Sequence, residues 1–491
     1  MAWRLAMLSI ALGVAAAAAV ALLAGGGTEA GAGESSTLRA TYGDRDGDGV
    51  LERAPAEPLR DRTELSPARA PGRTLALLAH ISDAHVRDEE SPARATLLDR
   101  LGAPFASTFR PQEALSVQTL GASVAAVNDL GPDATLVTGD LVDSAQANEL
   151  DQALAVLEGG RVDPDSGGPG YDGPQDSSSA DPFLYRPDVD APRHPGLLER
   201  AQRPFTAPGL ASPWYPAVGN HDLLVQGEAP PTARLQRLAV GDRAPAELDP
   251  DLRPRGEVDE LADVALGPLL DRALAVRTRP VAPDPGRRHL SPGELFVRLG
   301  RATGVGSAGG RLDYAVDVGA RLRVIVLDLT RRGGGSGGRV VEAQLGWLER
   351  ELDRAGERWV LVASHQPLAG SEGGARILGA LDRSPRVVAA LSGHTHEASI
   401  EPRRSAGGGY WLIGTPSLAD YPQQARALAL RETAGGGVLL ETWMLDTAPG
   451  GVADIARDLA FLDAQGGRPQ GERGTPEDRN ARLYRGPRGT R

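Results

Sequence analysis

Five times along this chain a short apolar run ends in a loop that carries metal-ligand side chains. Residues 75–81 (LALLAHI) lead into Asp83-Ala84-His85, and residues 134–138 (ATLVT) into Gly139-Asp140. Residues 214–218 (WYPAV) lead into Gly219-Asn220-His221-Asp222, 359–363 (WVLVA) into Ser364-His365, and 387–391 (VVAAL) into Gly393-His394-Thr395-His396. Five of the eight histidines fall in these loops. Short apolar runs bounded by turn residues read as buried strands. From Arg73 onward they alternate with helical stretches, which predicts a layered α/β domain. In open α/β sheets ligands sit beyond the carboxyl ends of strands. All five loops lie at such ends, so they can converge.

The ligand chemistry narrows the reading. In an extended segment residues i and i+2 point to the same side, so Asp83 and His85 can reach one ion together. His394 and His396 can likewise each serve one of two adjacent ions. The set is three carboxylate or amide oxygens (Asp83, Asp140, Asn220) and four imidazoles (His85, His365, His394, His396), with no thiolate. Such mixed sites suit Mn²⁺, Fe or Zn²⁺ better than Ca²⁺. Two divalent ions held ~3.5–4 Å apart can bind a bridging hydroxide and neutralise an in-line phosphate displacement. A bridging carboxylate is needed, and Asp140, on its tight Gly139 turn, is the natural choice. His80 is offset by an odd number from Asp83, so it reads as core or surface. His194 and His289 lie in insertions and read as surface residues.

Taken in order, D-x-H, G-D-x-x-D, G-N-H-D, S-H and G-H-x-H are similar to the motifs of the calcineurin-like metallophosphoesterase family, over roughly residues 74–446. The stretches Asp88-Glu89-Glu90-Ser91-Pro92 and Arg110-Pro111-Gln112-Glu113 resemble a secreted bacterial branch with long insertions between motifs. The resemblance implies a four-layer α/β/β/α fold, a β-sandwich flanked by helices, with long loop insertions. It implies that Asp83, His85, Asp140 and His396 hold one metal, and Asp140, Asn220, His365 and His394 the other. His221 would sit near the substrate, stabilising the phosphorane charge or protonating the leaving oxygen, with Asp222 orienting it. Asp143 fills the last position of G-D-x-x-D and becomes a residue behind the ligands. The implied activity is an exported dinuclear hydrolase of phosphate mono- or diesters. A reading from another class is a non-catalytic envelope protein that retains the metal site as a structural element; such a protein has no need of His221.

The rest of the chain bounds this reading. Net charge is −12 and sequence pI about 5.3, so no nucleic-acid-binding signature is present. The absence of cysteine excludes disulfides and thiolate zinc sites. All 53 basic residues are arginine. Residues 1–32 read as a signal peptide or N-terminal anchor, with an apolar run at 5–24 and Ala30-Gly31-Ala32 offering cleavage; membrane anchoring through 5–24 is the competing outcome. Residues 33–73 read as linker. Within it Asp44, Asp46 and Asp48, with Gly49, match the first half of a Ca²⁺ loop, but Pro55 stands where the closing Glu belongs. The expectation there is a weak Ca²⁺ site at most. Insertions are expected at about 159–213, as irregular loop, and 223–310, with helical pattern at Val258–Val276. Helices are predicted at Pro111–Leu130, Ser144–Leu157, Val340–Ala355, Gly373–Leu381 and Val452–Ala464. A hairpin is predicted over 311–329, and strands over 409–415 and 437–445. Residues 447–491 are expected to form a docking helix and a disordered, net-positive tail. Arg87 and Arg110 are candidates for substrate phosphate, and Asp420-Tyr421 reads as plain loop, with a place at the cleft rim as the alternative. Nothing in the sequence sets the oligomeric state.

Overall fold

The computed structural model describes residues 33–101, 108–247, 276–307, 309–465 and 473–487, together with Arg272. The apolar run at 5–24 lies outside these, as does most of the helix expected at Val258–Val276. Among the described residues no helix is long and apolar enough to cross a membrane.

Two mixed sheets carry the architecture. The first uses β1 (Arg60–Arg62), β2 (Pro71–Ile81), β3 (Ala134–Thr138) and β4 (Trp214–Ala217). The second uses β5 (Tyr314–Val318), β6 (Leu322–Leu327), β7 (Trp359–Ser364), β8 (Val387–Ser392), β9 (Ser399–Arg403) and β10 (Tyr410–Gly414). The chain then returns to the first sheet with β11 (Gln424–Thr433), β12 (Val438–Asp446) and β13 (Ala481–Arg485). The seven-stranded order is β1-β13-β12-β11-β2-β3-β4, and the six-stranded order is β5-β6-β7-β8-β10-β9. Strands β2, β3 and β4 run parallel, as do β6, β7, β8 and β10. Every residue of β3 and β7 is buried, as expected of parallel strands covered on both faces. This explains why they read as unbroken apolar runs rather than as alternation.

Helices cover the outer faces. Helix α1 (Ser116–Leu130) lies against β2, β11 and β12. It stops at Gly131, whose left-handed backbone returns its N–H to the Val127 and Asn128 carbonyls. Helix α2 (Ala147–Glu158) packs beside α1. Helices α3 (Glu342–Arg354) and α4 (Gly374–Arg383) cover the other sheet. There Leu348, Ile377 and Leu381 close over Ile325, Val360 and Val362. Helix α5 (Val452–Gln465) docks on α1. The layers are therefore α/β/β/α. The two sheets are joined by hydrogen bonds as well as apolar packing. His80 Nδ1 meets Thr415 Oγ1 at 2.7 Å, and Tyr314 donates to the Pro216 carbonyl at 2.6 Å. His80 is thus a core histidine, and burial pushes its imidazole down to about 3.

Several expectations are corrected. Residues 33–73 are not a bare linker: Ser35, Ser36 and Thr37 are buried, and β1 pairs with β13. The acidic loop turns a hairpin between Ala40–Gly43 and Glu52–Pro55. Its Asp44 carboxylate accepts the Gly47 and Gly49 N–H groups. The tail contributes β13, whose Leu483 is fully buried; burial of one such side chain stabilises by about 1.5–3 kcal/mol. A polar, Arg-rich sequence hid this strand, because Arg485 spends its guanidinium on backbone carbonyls of Val387, Pro385, Gly407 and Gly409. The insertions are tied down. Arg287 donates to Asp88 at 2.7 Å, and Glu90 accepts from Asp172 N–H and from Gln202.

His289 is not a surface residue. It is 7% exposed, and among the described residues neither ring nitrogen has a partner. Burial alone lowers its imidazole to about 4. A histidine lowered on folding contributes stability that is present above its unfolded value near 6.5 and is lost as pH falls towards 4. Replacing His289 with Leu should therefore flatten the acid limb of thermal stability. The gain over the parent at pH 5 should be about 2 kcal/mol relative to the difference at pH 7.5. A parallel shift of the whole Tm-versus-pH curve would contradict this.

Candidate metal centre

The five loops meet where the carboxyl ends of the two sheets face each other. The seven-stranded sheet brings Asp83 and His85 after β2, Asp140 after β3, and Asn220 and His221 after β4. The six-stranded sheet brings His365 after β7, and His394 and His396 after β8. The loops get there by an unusual backbone. Asp83, His85, Asp140, His394 and His396 all have positive φ, between 44° and 71°. Such values are uncommon outside glycine and cluster where function over-determines the chain. The i, i+2 argument from extended geometry therefore reached the right neighbours by the wrong route: the side chains converge because the backbone is left-handed.

The motif glycines are explained by contact. A Cβ on Gly139 would stand 2.6 Å from Gly219 N and 2.7 Å from His365 Nδ1. One on Gly219 would strike the Asp140 carboxylate, and one on Gly393 would strike Ser82 Oγ and Asp83 Oδ2.

Hydrogen bonds fix the ring orientations. His85 Nδ1 meets Asp143 Oδ1 at 3.1 Å, and His365 Nδ1 meets the Thr138 carbonyl at 2.8 Å. His221 Nδ1 meets the Asp143 carbonyl at 2.7 Å, and His396 Nδ1 meets Asp420 Oδ2. Carbonyls and carboxylates only accept, so each Nδ1 carries a proton and each Nε2 is left to face the centre. The inward-facing nitrogens crowd together. His85 Nε2 is 3.2 Å from His396 Nε2, and His365 Nε2 is 3.2 Å from His394 Nδ1. His396 Nε2 is 3.3 Å from Asp83 Oδ1, and His365 Nε2 is 3.1 Å from both Asp140 Oδ2 and Asn220 Oδ1. Ligand atoms bound ~2.0–2.1 Å from one tetrahedral ion stand roughly 3.3 Å apart. The spacing fits two ions.

Three overlapping groups have donor atoms within 4.8 Å of one another: Asp83, His85 and His396; Asp140, His365 and His394; and His85, Asp140 and His221. Asp140 and His85 link them. Asn220 completes the second group, because its Nδ2 donates to the Gly227 carbonyl at 3.1 Å and so turns Oδ1 inward. Burial would raise the Asp140 carboxyl, but His365 and His221 hold it well below the usual carboxylate range. Burial would likewise lower His365, yet Asp140 and Asp83 lift it to about 10. A proton and a cation thus compete for the same imidazole nitrogen.

Three expectations fail here. The Asp222 carboxylate accepts the Leu141, Val142 and Gly219 N–H groups rather than orienting the His221 ring. That ring faces Asp143, through its carbonyl and through Oδ1 at 3.6 Å. Arg87 is buried against Glu113 and Asp143, and Arg110 against Asp420, so neither faces substrate. Asp420 is no plain loop residue, since it holds His396 from behind. An isolated Asp six residues beyond β10 carries no sequence signal for that task.

No family model matches the chain, and no curated protein matches it. Among solved structures it is similar to a dimetal phosphatase from Danio rerio, with 12% identity and a TM-score of 0.38, covering 76% of this chain and 100% of that one. An overlap this loose carries no weight for function.

Gly393→Ala tests how tightly that geometry is built. The added methyl must displace Asp83, so Zn²⁺ affinity should fall roughly 10–100-fold, the range seen when groups supporting a ligand are lost. Circular dichroism should still report a folded chain. Unchanged affinity by competitive chelator titration would show that Asp83 does not depend on this close approach.

Proposed function

We propose that the chain is an exported, dinuclear metal-dependent phosphoesterase. The observation that carries this reading is the convergence of imidazole nitrogens and carboxylates from both sheets at 3.1–3.3 Å, a spacing that two cations would match. Asp83, His85, Asp140 and His396 would hold one ion, and Asp140, Asn220, His365 and His394 the other. The donor set suits Mn²⁺, Fe or Zn²⁺. Two such ions would supply Lewis-acid charge for a phosphoryl group and lower the pKa of an attacking water. Export rests on the apolar run at 5–24.

The chain's own residues supply the remainder. Asp83, His85, Asp140, Asn220 and His365 are buried, whereas His394, His396 and His221 are partly exposed, the His221 side chain at 20%. His221 therefore lies on the solvent-facing side of the centre with His394 and His396, where a leaving group would depart. Its Nδ1 is fixed by the Asp143 carbonyl, so Nε2 is the atom that can hand a proton to the leaving oxygen. Asp143 positions two rings at once, His85 through its carboxylate and His221 through its carbonyl. The separate reading of a purely structural metal site leaves this arrangement of His221 without purpose.

Asp140→Asn should abolish turnover and metal retention together, because it removes the charge shared by both ions. His221→Ala should keep two ions per chain while lowering kcat roughly 10²–10⁴-fold on alkyl phosphates. The loss should be much smaller on p-nitrophenyl phosphate, whose leaving group needs no proton. Metal analysis combined with kinetics on both esters decides the matter. Equal losses on the two esters would remove His221 from the proton-donor role, and full activity of Asp140→Asn would refute the dinuclear assignment.

A further inference from the structure

The loop after β6 lies at the same end of the same sheet as the loop carrying His365, because β6 and β7 are parallel neighbours. Its sequence is Arg331-Arg332-Gly333-Gly334-Gly335-Ser336-Gly337-Gly338-Arg339. It curls over a hollow of about 540 Å³ lined by Arg311, Arg331, Arg332 and Arg339, the backbone of Gly333 and Gly334, and the start of α3. The glycines permit the curl: Gly334 and Gly335 have φ of 106° and 85°. A cluster of four guanidinium groups is not what a chain of net charge −12 places together without reason.

The charges in the hollow do not cancel. Asp328 is fully buried and takes both Arg311 and Arg332. Arg339 meets Glu372 at 3.4 Å, with both side chains more than half exposed. Glu342, at the start of α3, is gripped from outside by both terminal nitrogens of Arg376, at 2.6 and 2.8 Å. Among the described residues Arg331 has no side-chain partner, whereas Arg332 is engaged by Asp328 and the Phe296 ring. The hollow thus keeps a positive excess and the unengaged Arg331 guanidinium. Guanidinium forks match phosphate oxygens in geometry, and the amino end of α3 adds partial positive charge.

The loop also reaches the metal centre. Ser336 accepts from Gln366 Nε2 at 3.2 Å, and the same Nε2 lies 3.2 Å from Asn220 Oδ1. Gly335 N–H donates to the Glu228 carbonyl, one residue beyond the Gly227 that aligns Asn220. We infer that the arginine-lined hollow binds a second phosphate group of the substrate, whose scissile phosphate lies at the metal centre. This deepens the phosphoesterase reading and rests on it: the substrate class becomes small molecules carrying two separated phosphates. A hollow of this volume holds a phosphate together with part of its carrier.

The test uses the full chain loaded with metal. Alkane-diol bisphosphates of graded length are compared with the matching monophosphates, in the parent and in the double variant Arg331→Ala/Arg339→Ala. Both side chains are accessible and outside the core, so the fold should survive. The parent should prefer the bisphosphate of at least one length by tenfold or more in kcat/KM, carried by KM, and the double variant should lose that preference. No preferred length in the parent, or a preference that survives in the variant, would overturn the subsite. Calorimetric titration with inorganic pyrophosphate separates this from failure of the parent reading. If no ester is hydrolysed with any metal yet the variant binds pyrophosphate at least tenfold more weakly, the phosphoesterase reading fails and the hollow stands as an anion site. Equal pyrophosphate affinity in both proteins removes the hollow.

Discussion

The Asp143 carboxylate is the interaction on which the centre depends. It is buried, accepts His85 Nδ1, and lies 3.2 Å from Arg87 and 3.6 Å from Arg94. Those two arginines also hold Glu113, itself 2% exposed. Two carboxylates and two guanidiniums therefore form a neutral group in the interior. Burying any one of them alone would cost several kcal/mol. Together they make a rigid anchor whose loss leaves an unpaired charge, so the position of His85 is enforced by the cost of every alternative. Asp420 repeats the device for His396, with Arg110 as its counter-charge.

The anchors matter because ownership of the ligands is divided. Asp83, His85, Asp140 and Asn220 belong to the seven-stranded sheet, whereas His365, His394 and His396 belong to the six-stranded one. Each proposed metal draws donors from both. The contacts that dock the sheets, such as His80 with Thr415 and Tyr314 with the Pro216 carbonyl, therefore also set the spacing of the centre. Strain enters at the same place. Five ligand residues with positive φ cost of order 1–3 kcal/mol each. Such a cost persists only when the surrounding packing leaves the loops no relaxed path.

How much of this the sequence revealed follows the physics of each element. Strands buried on both faces announce themselves as apolar runs, so β3, β7 and β8 and the loops after them were legible. Helices α1 to α5 were legible because their periods and caps are local. Strand β11 was not: QARALALRET is rich in alanine and carries Arg426 as its third residue, a pattern no propensity favours for a core strand. The strand exists because Arg426 is fully buried and satisfied by the Gly414, Asp478 and Arg479 carbonyls, far away in sequence. Strand β13 escaped notice for the same reason. At the centre, which residues converge was readable from the motifs, while the groups behind them were not. Asp420 and the inward turn of Asn220 depend on contacts that no motif encodes. Asp222 was misread because adjacency in sequence suggested a contact that the turn does not make.

The insertion after Asp222 is more than a cover. Gly227 has φ of 73°, and a side chain there would collide with the His221 ring and the Asn220 amide. The chain at this point therefore presses directly on the residue proposed to protonate and on a residue proposed to bind metal. One residue later, the Glu228 carbonyl takes the N–H of the glycine loop that roofs the arginine hollow. The proposed metal ligand Asn220, the proposed proton donor His221 and the arginine-glycine loop are thus joined through contacts of a single short segment. A substrate phosphate that settles the glycine loop would press on Gly227 and hence on the Asn220 amide and the His221 ring. Binding energy gained away from the reacting phosphorus can in this way be expressed as alignment at it.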